Sequence, residues 1–260
     1  MRKGLMLALL GGAAFIIFLV LTAPASLLAH AIRSALPVEL EGVSGTLWHG
    51  AIQRVSAPEN LQLGPLSWRL HGWRLLRGEI SLSLEIPADA PNLSGKADAA
   101  VTILKTLYLS NVDLQADANW VFTQAALPIA AAGNFNLRIE SAELRRGQLP
   151  LLHGQLEWQN ARVVYPQQHA LGAYRLIMHP QPETDPEYLL GEISDINSPF
   201  KINGTVKIEH SGAYQFSARL ATAPDAPQIF RDTLLFLGEP AADGSVSLER
   251  SGNIFEEYGS

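Results

Sequence analysis

The sequence predicts a mainly β protein: an N-terminal transmembrane helix, then a long, curved, mostly antiparallel sheet, open or partly closed into a barrel or groove, with one or two short helices. Three observations carry this. From residue 38 onward apolar and polar residues alternate with a period of two, as in strands with one wet and one dry face. No long helical pattern separates those runs, which argues against parallel βαβ units. Ahead of them, Leu5 to Ala23 holds no charge.

That first segment spans 19 residues, roughly 28 Å at helical rise and close to the roughly 30 Å of a bilayer's hydrocarbon core. Arg2 and Lys3 precede it, which predicts a cytoplasmic N-terminus. The alternative is a cleaved signal peptide with its small-residue site at Ala23-Pro24-Ala25 or Leu27-Leu28-Ala29, although apolar regions of such peptides run only to about 7–15 residues. Residues 1–24 are therefore read as cytoplasmic start and anchor. Over 25–37, Ser26 is placed to cap a helix, Leu27, Leu28, Ala31, Ile32, Ala35 and Leu36 recur at helical spacing, and Pro37 ends it. This predicts an amphipathic helix at the membrane surface; the alternative is an anchor helix continued past a kink at Pro24.

Residues 38–260 are read as one periplasmic β domain, or as two similar halves meeting near 135–153. Strand faces are expected at Ile80, Leu82, Leu84 and Ile86; at Ala97, Ala99, Val101 and Ile103; at Val112 through Trp120 and Phe122; and at Phe135, Leu137 and Ile139. Ile202 through Ile208 and Tyr214 through Leu220 flank a turn at His210-Ser211-Gly212-Ala213, a hairpin signal. A helix is expected over Asp225–Leu237 before Gly238, and a weaker one over Thr123–Ala132. Ala88–Gly95 and the proline-rich His179–Pro186 read as loops, and the tail from Ser251 as frayed. The Gly45-Thr46-Leu47-Trp48 and Gly154 to Trp158 segments, each followed by a glycine and a further aromatic-Arg-Leu, are the echo behind the two halves.

The chemistry suggested by the sequence is sparse. There is no cysteine, which excludes disulfides, iron–sulfur clusters, Cys-based zinc sites and thiol nucleophiles. The net charge is −6, and beyond the first two cations it is −8, with 25 acidic residues against the rest of the 19 basic ones; no nucleic-acid partner is expected. Gly42-Val43-Ser44-Gly45-Thr46 lacks the second glycine placement of a nucleophile elbow. No phosphate loop or dinucleotide fingerprint appears, and the seven histidines never take zinc spacing, so no cofactor, metal or enzymatic activity is expected. Asp113 and Asp117 read as solvent-face charges.

Five tryptophans remain: Trp48, Trp68, Trp73, Trp120 and Trp158. Core anchoring is the ordinary role of such residues. The sharper reading makes Trp68 and Trp73, beside Arg69, Arg74 and Arg77, a membrane-facing or partner-facing patch. The candidate structural or interaction motif is thus Gly45, Thr46, Leu47, Trp48, Trp68 and Trp73. An aliphatic inner sheet face would alternatively accept an acyl chain.

The order of parts resembles protein N of the bacterial type II secretion system. The resemblance runs through Leu40-Glu41-Gly42-Val43-Ser44-Gly45-Thr46-Leu47-Trp48-His49-Gly50, Leu63-Gly64-Pro65-Leu66-Ser67-Trp68-Arg69-Leu70 and Leu75-Leu76-Arg77-Gly78. It continues in Thr233 to Gly238 and Asp243 to Leu248. Gly72-Trp73 stands where the family often has a proline. The resemblance implies a single-pass inner-membrane protein of Gram-negative bacteria with a periplasmic domain, no catalytic residues, and other secretion proteins of the inner membrane, the secretin and membrane lipid as partners. It also implies a wider AsmA-like group whose sheets form apolar grooves for lipid. Two functions follow: an assembly module in protein export, or a lipid-binding groove. An inner face filled by its own side chains would favour the first, and an open apolar trough the second.

Overall fold

The structure, a computed structural model, describes residues 11–253 except 13–14, 16–17, 36, 59–60, 126, 128–129, 146–148, 165–167 and 180–187. The chain divides into two compact units, Met1–Pro91 and Asn92–Ser260. Both are built mainly of antiparallel strands, as the alternation predicts.

In the first unit, helix α1 (Ser26–Ala35) precedes strands β1 (Glu39–Glu41), β2 (Ser44–Gly45), β3 (His49–Ile52), β4 (Arg54–Ala57), β5 (Leu61–Leu63) and β6 (Leu66–Leu70). Helix α2 (Gly72–Leu75) and strand β7 (Glu79–Ile86) follow. The strands order as β1-β4-β5 and β2-β3-β6-β7. Ala25, Ala29, Leu40, Ile52 and Trp68 form the core, with Leu28, Ile32, Leu82 and Leu84 against it. Helical spacing puts Leu28, Ala29 and Ile32 on one face of α1, beside Ala25 just before it, so that face is spent on the strands, while Leu27 stays exposed. Of the long apolar segment, residues 18–21 are helical, and part of it lies outside the described residues. Among the described residues no helix is long and apolar enough to cross a membrane.

Among the described residues of the second unit, nine strands run in chain order as neighbours: β8 (Leu93–Thr102), β9 (Leu107–Asp117), β10 (Ala131–Leu144), β11 (Leu151–Val163), β12 (His169–His179), β13 (Tyr188–Asp195), β14 (Phe200–Glu209), β15 (Ala213–Thr222) and β16 (Val246–Asn253). Helix α3 (Ala118–Gln124) joins β9 to β10, and α4 (Gln228–Leu237) joins β15 to β16. Phe135–Leu144 and Leu151–His153 lie in the paired strands β10 and β11. Leu234 of α4 is buried with Ala218, Leu220 and Val246, which fixes the helix over one face of the last strands.

Several expectations need correction. Trp120 and Phe122 are helical, not extended: the Asp117 carboxylate accepts from Trp120 N at 2.9 Å and starts α3, so Asp117 is a helix cap. Thr123 and Gln124 are its last residues rather than the start of a helix. In β8 a register irregularity between Lys96 and Asp98 shifts the phase, so Ala100 is buried while Val101 and Ile103 are exposed. Ile80 is exposed and Ser81 buried, the reverse of the expected faces where β7 begins. Helix α4 starts at Gln228 after Pro227, and β16 continues through Asn253. The His210 turn stands as expected, with Gly212 at φ +82° and its N–H on Glu209 O at 3.0 Å. Most of the His179–Pro186 loop lies outside the described residues.

Candidate functional site

The Gly45-Thr46-Leu47-Trp48 turn grips the chain that emerges from the apolar segment. Thr46 N donates to His49 O at 2.7 Å and closes the turn, which φ +93° at Gly45 permits. A Cβ on Gly45 would lie 2.8 Å from Gly50 Cα. The outer edge then pairs with the incoming strand of backbone: Leu47 N donates to Ala23 O at 2.8 Å and Ala25 N to Gly45 O at 3.1 Å, with Pro24 bridged to Thr46. The indole of Trp48 donates to Val20 O at 2.8 Å, a carbonyl at the end of a helical segment that also accepts from Ala23 N at 3.3 Å. Its six-membered ring lies against Gly72, where a Cβ would fall 2.7 Å from Cζ3.

Trp68 and Trp73 do not form one patch. Trp68 is 6% exposed, its ring covers Gly50 and its Nε1 donates to Leu47 O at 3.1 Å; its strand position on the core side makes it an anchor. Trp73, on α2, is 54% exposed, with the Arg77 guanidinium 4.8 Å and that of Arg74 5.4 Å from its ring. Arg74 also pairs with Glu79 at 2.7 Å.

The second unit holds a feature the sequence reading did not locate. A cavity of about 740 Å³ is walled by the inner faces of β10 to β14 and by α4, within the range of small-molecule sites. Its walls are Phe135, Leu156, Trp158, Tyr174, Leu176, Ile193, Phe200 and Ile202, with Ile229 and Phe230 from the helix. Aromatic rings meet across the strands, Phe135 to Trp158 at 5.5 Å and Trp158 to Tyr174 at 6.1 Å, and between strand and helix, Phe200 to Phe230 at 6.1 Å.

Their polar atoms are turned onto backbone carbonyls, Trp158 Nε1 to Ala132 O at 3.2 Å and Tyr174 Oη to Phe200 O at 3.0 Å. Burial pushes the Tyr174 phenol up to about 12, against the opposing effect of a hydrogen bond with Ser198. Arg175, which also lines the wall, donates to Glu157 at 2.7 Å. Hydrogen bonds from Gln159 and Arg175 hold the Glu157 carboxyl below its ordinary range. Such walls suit an apolar chain. Among the described residues no group of three or more His, Asp or Glu is placed to hold a metal ion. A cross-strand register that sets Phe135 opposite Trp158 and Trp158 opposite Tyr174 was the missing signal.

Comparison with known proteins adds the family context. A model of the family described as type II secretion system protein N matches residues 37–249. The chain is 28% identical over 270 residues to the type II secretion system protein N of Aeromonas hydrophila, covering 98% of this chain and 100% of that one. It is 24% identical to that of Pectobacterium carotovorum subsp. carotovorum (93% and 94% covered) and 24% identical to that of Vibrio cholerae (87% and 90%). No solved structure matches.

Proposed function

The chain belongs to the type II secretion system protein N family, and from that premise we propose that it is a single-pass inner-membrane component whose β strands work in the periplasm. In this reading Leu5–Ala23 is the span, with residues 1–4 on the cytoplasmic side. Residues from 38 onward dock on other secretion proteins, and the chain has no catalytic task. One observation carries the reading. Phe15, Phe18, Leu19, Val20 and Leu21 are all 48–62% exposed, a helical surface that water would not favour, and its exit is tied by three backbone or indole hydrogen bonds to the Gly45–Trp48 turn. An anchor held this way would transmit a fixed position to the first unit.

A second reading is supported by the cavity beneath α4, whose apolar walls fit a lipid acyl chain and leave that inner face unfilled. Crosslinking in intact membranes, followed by purification and mass spectrometry of both proteins and lipids, separates the two. Stoichiometric secretion proteins without bound lipid support the assembly role alone. Co-purified lipid that is lost in a cavity-filling Ile193→Trp variant supports the groove, and neither would refute both.

A further inference from the structure

We propose that the segment from Gly72 to Ile80 is an interfacial foot that rests on an anionic lipid surface beside the exit of the N-terminal helix; this rests on the membrane-anchored reading above. The segment is a helical turn and a reversal that leave their largest apolar side chains outside. Trp73 is 54% exposed, Leu76 91% and Ile80 57%. None of the three joins the buried cluster of the first unit among the described residues. Exposed apolar groups of this size in one short segment mark a surface that meets something other than water.

The chemistry of what it meets is given by charge. Residues 69–80 carry Arg69, Arg74 and Arg77 against one acid, Glu79, in a chain that is otherwise strongly acidic. Glu79 is paired with Arg74, and Arg77 lies over the Trp73 ring. A tryptophan with stacked arginines and protruding leucines is the composition that settles at headgroup depth, rings among the carbonyl region and guanidinium groups reaching phosphates.

The location is given by contact. Trp48 is the link: its indole holds Val20 O, its carbonyl accepts from Leu70 N at 2.8 Å, and its ring lies against Gly72. Trp73 is thus the next residue along from the one that touches the clasp of the helix exit. If that helix spans a bilayer, its exit and the foot lie at the same interface.

The chain has no cysteine, so a single introduced thiol reports one site. The full-length protein with Leu76→Cys carrying an environment-sensitive fluorophore is reconstituted in phosphatidylcholine vesicles with or without phosphatidylglycerol, with nitroxide quenchers on the lipid. The expected result is blue-shifted emission quenched by headgroup-level nitroxide, stronger with phosphatidylglycerol and largely lost on adding Arg77→Glu. A label at Asp89→Cys, on an exposed loop of the same unit, should stay water-like. A Leu76 label indistinguishable from the Asp89 label would overturn the foot, as would one that is blue-shifted but beyond reach of lipid quencher, which would indicate protein contact. Full quenching retained with Arg77→Glu would overturn the anionic lipid. A label at Leu19→Cys separates the two levels: quenched by deep nitroxide while Leu76 stays water-like, it removes the foot alone; unquenched, it removes the span and the foot with it.

Discussion

The indole N–H of Trp48 donates to the carbonyl oxygen of Val20 at 2.8 Å across 28 residues of chain. The bond joins the apolar segment to the first strands through a side chain that also packs on Gly72. Replacing it by Trp48→Phe keeps most of the ring and deletes the donor, so the loss should be about 0.5–1.5 kcal/mol, the net worth of one hydrogen bond. Trp48→Ala removes the packing as well and should approach the lower end of the roughly 3–5 kcal/mol seen for fully buried aromatics, because this ring is only half-buried. Thermal unfolding of both variants measures the difference. Equal stabilities for the two would mean that the ring contributes nothing.

Gly45 and Gly244 provide an internal comparison. Both have positive φ, +93° and +76°, but a Cβ on Gly45 would press on His49 O and Gly50 Cα whereas one on Gly244 meets nothing within 4 Å. Gly244→Ala should cost about 1 kcal/mol from backbone conformation alone. Gly45→Ala should cost distinctly more, about 2–4 kcal/mol, since steric displacement of a strand backbone adds to strain. Denaturant midpoints with unchanged slopes are the measurement.

Tyr174 supplies a pH signature for the cavity wall. Its phenol titrates near 12 in the folded chain and near 10 unfolded. The neutral form is thus favoured by folding: its contribution is complete below about pH 10 and is lost as pH rises through about 12. The wild type should lose stability over that window more steeply than Tyr174→Phe, as read by unfolding midpoints at stepped pH. Parallel curves would place the phenol in water.

How much of this was legible in sequence depends on the residues concerned. The β14–β15 hairpin was plain, because Ile202 to Ile208 and Tyr214 to Leu220 alternate without interruption around a glycine turn. Bulges defeat such reading: the irregularity after Lys96 and another between Ile139 and Ser141 exchange the faces midway. Helix α3 was hidden because Ala118, Trp120 and Phe122 keep strand parity by coincidence, and the cap at Asp117 was the only contrary sign. The cavity was invisible for a different reason. Phe135, Trp158, Tyr174, Phe200 and Phe230 each look like ordinary core residues, and only strand register and the return of α4 place them around one space. The Gly45–Trp48 turn is visible in sequence as a Gly-Thr-Leu-Trp segment, but its grip on Val20 and Ala23 depends on contacts between distant parts of the chain.

The most direct measurement is the intact mass of the protein extracted from purified inner membranes, combined with a periplasm-dependent reporter fused after Gly42. An anchored component should retain its first residues, apart from the initiator methionine, and the reporter should be active. A mature chain that begins at Ser26 or His30, or a reporter active only in the cytoplasm, would contradict the anchored reading.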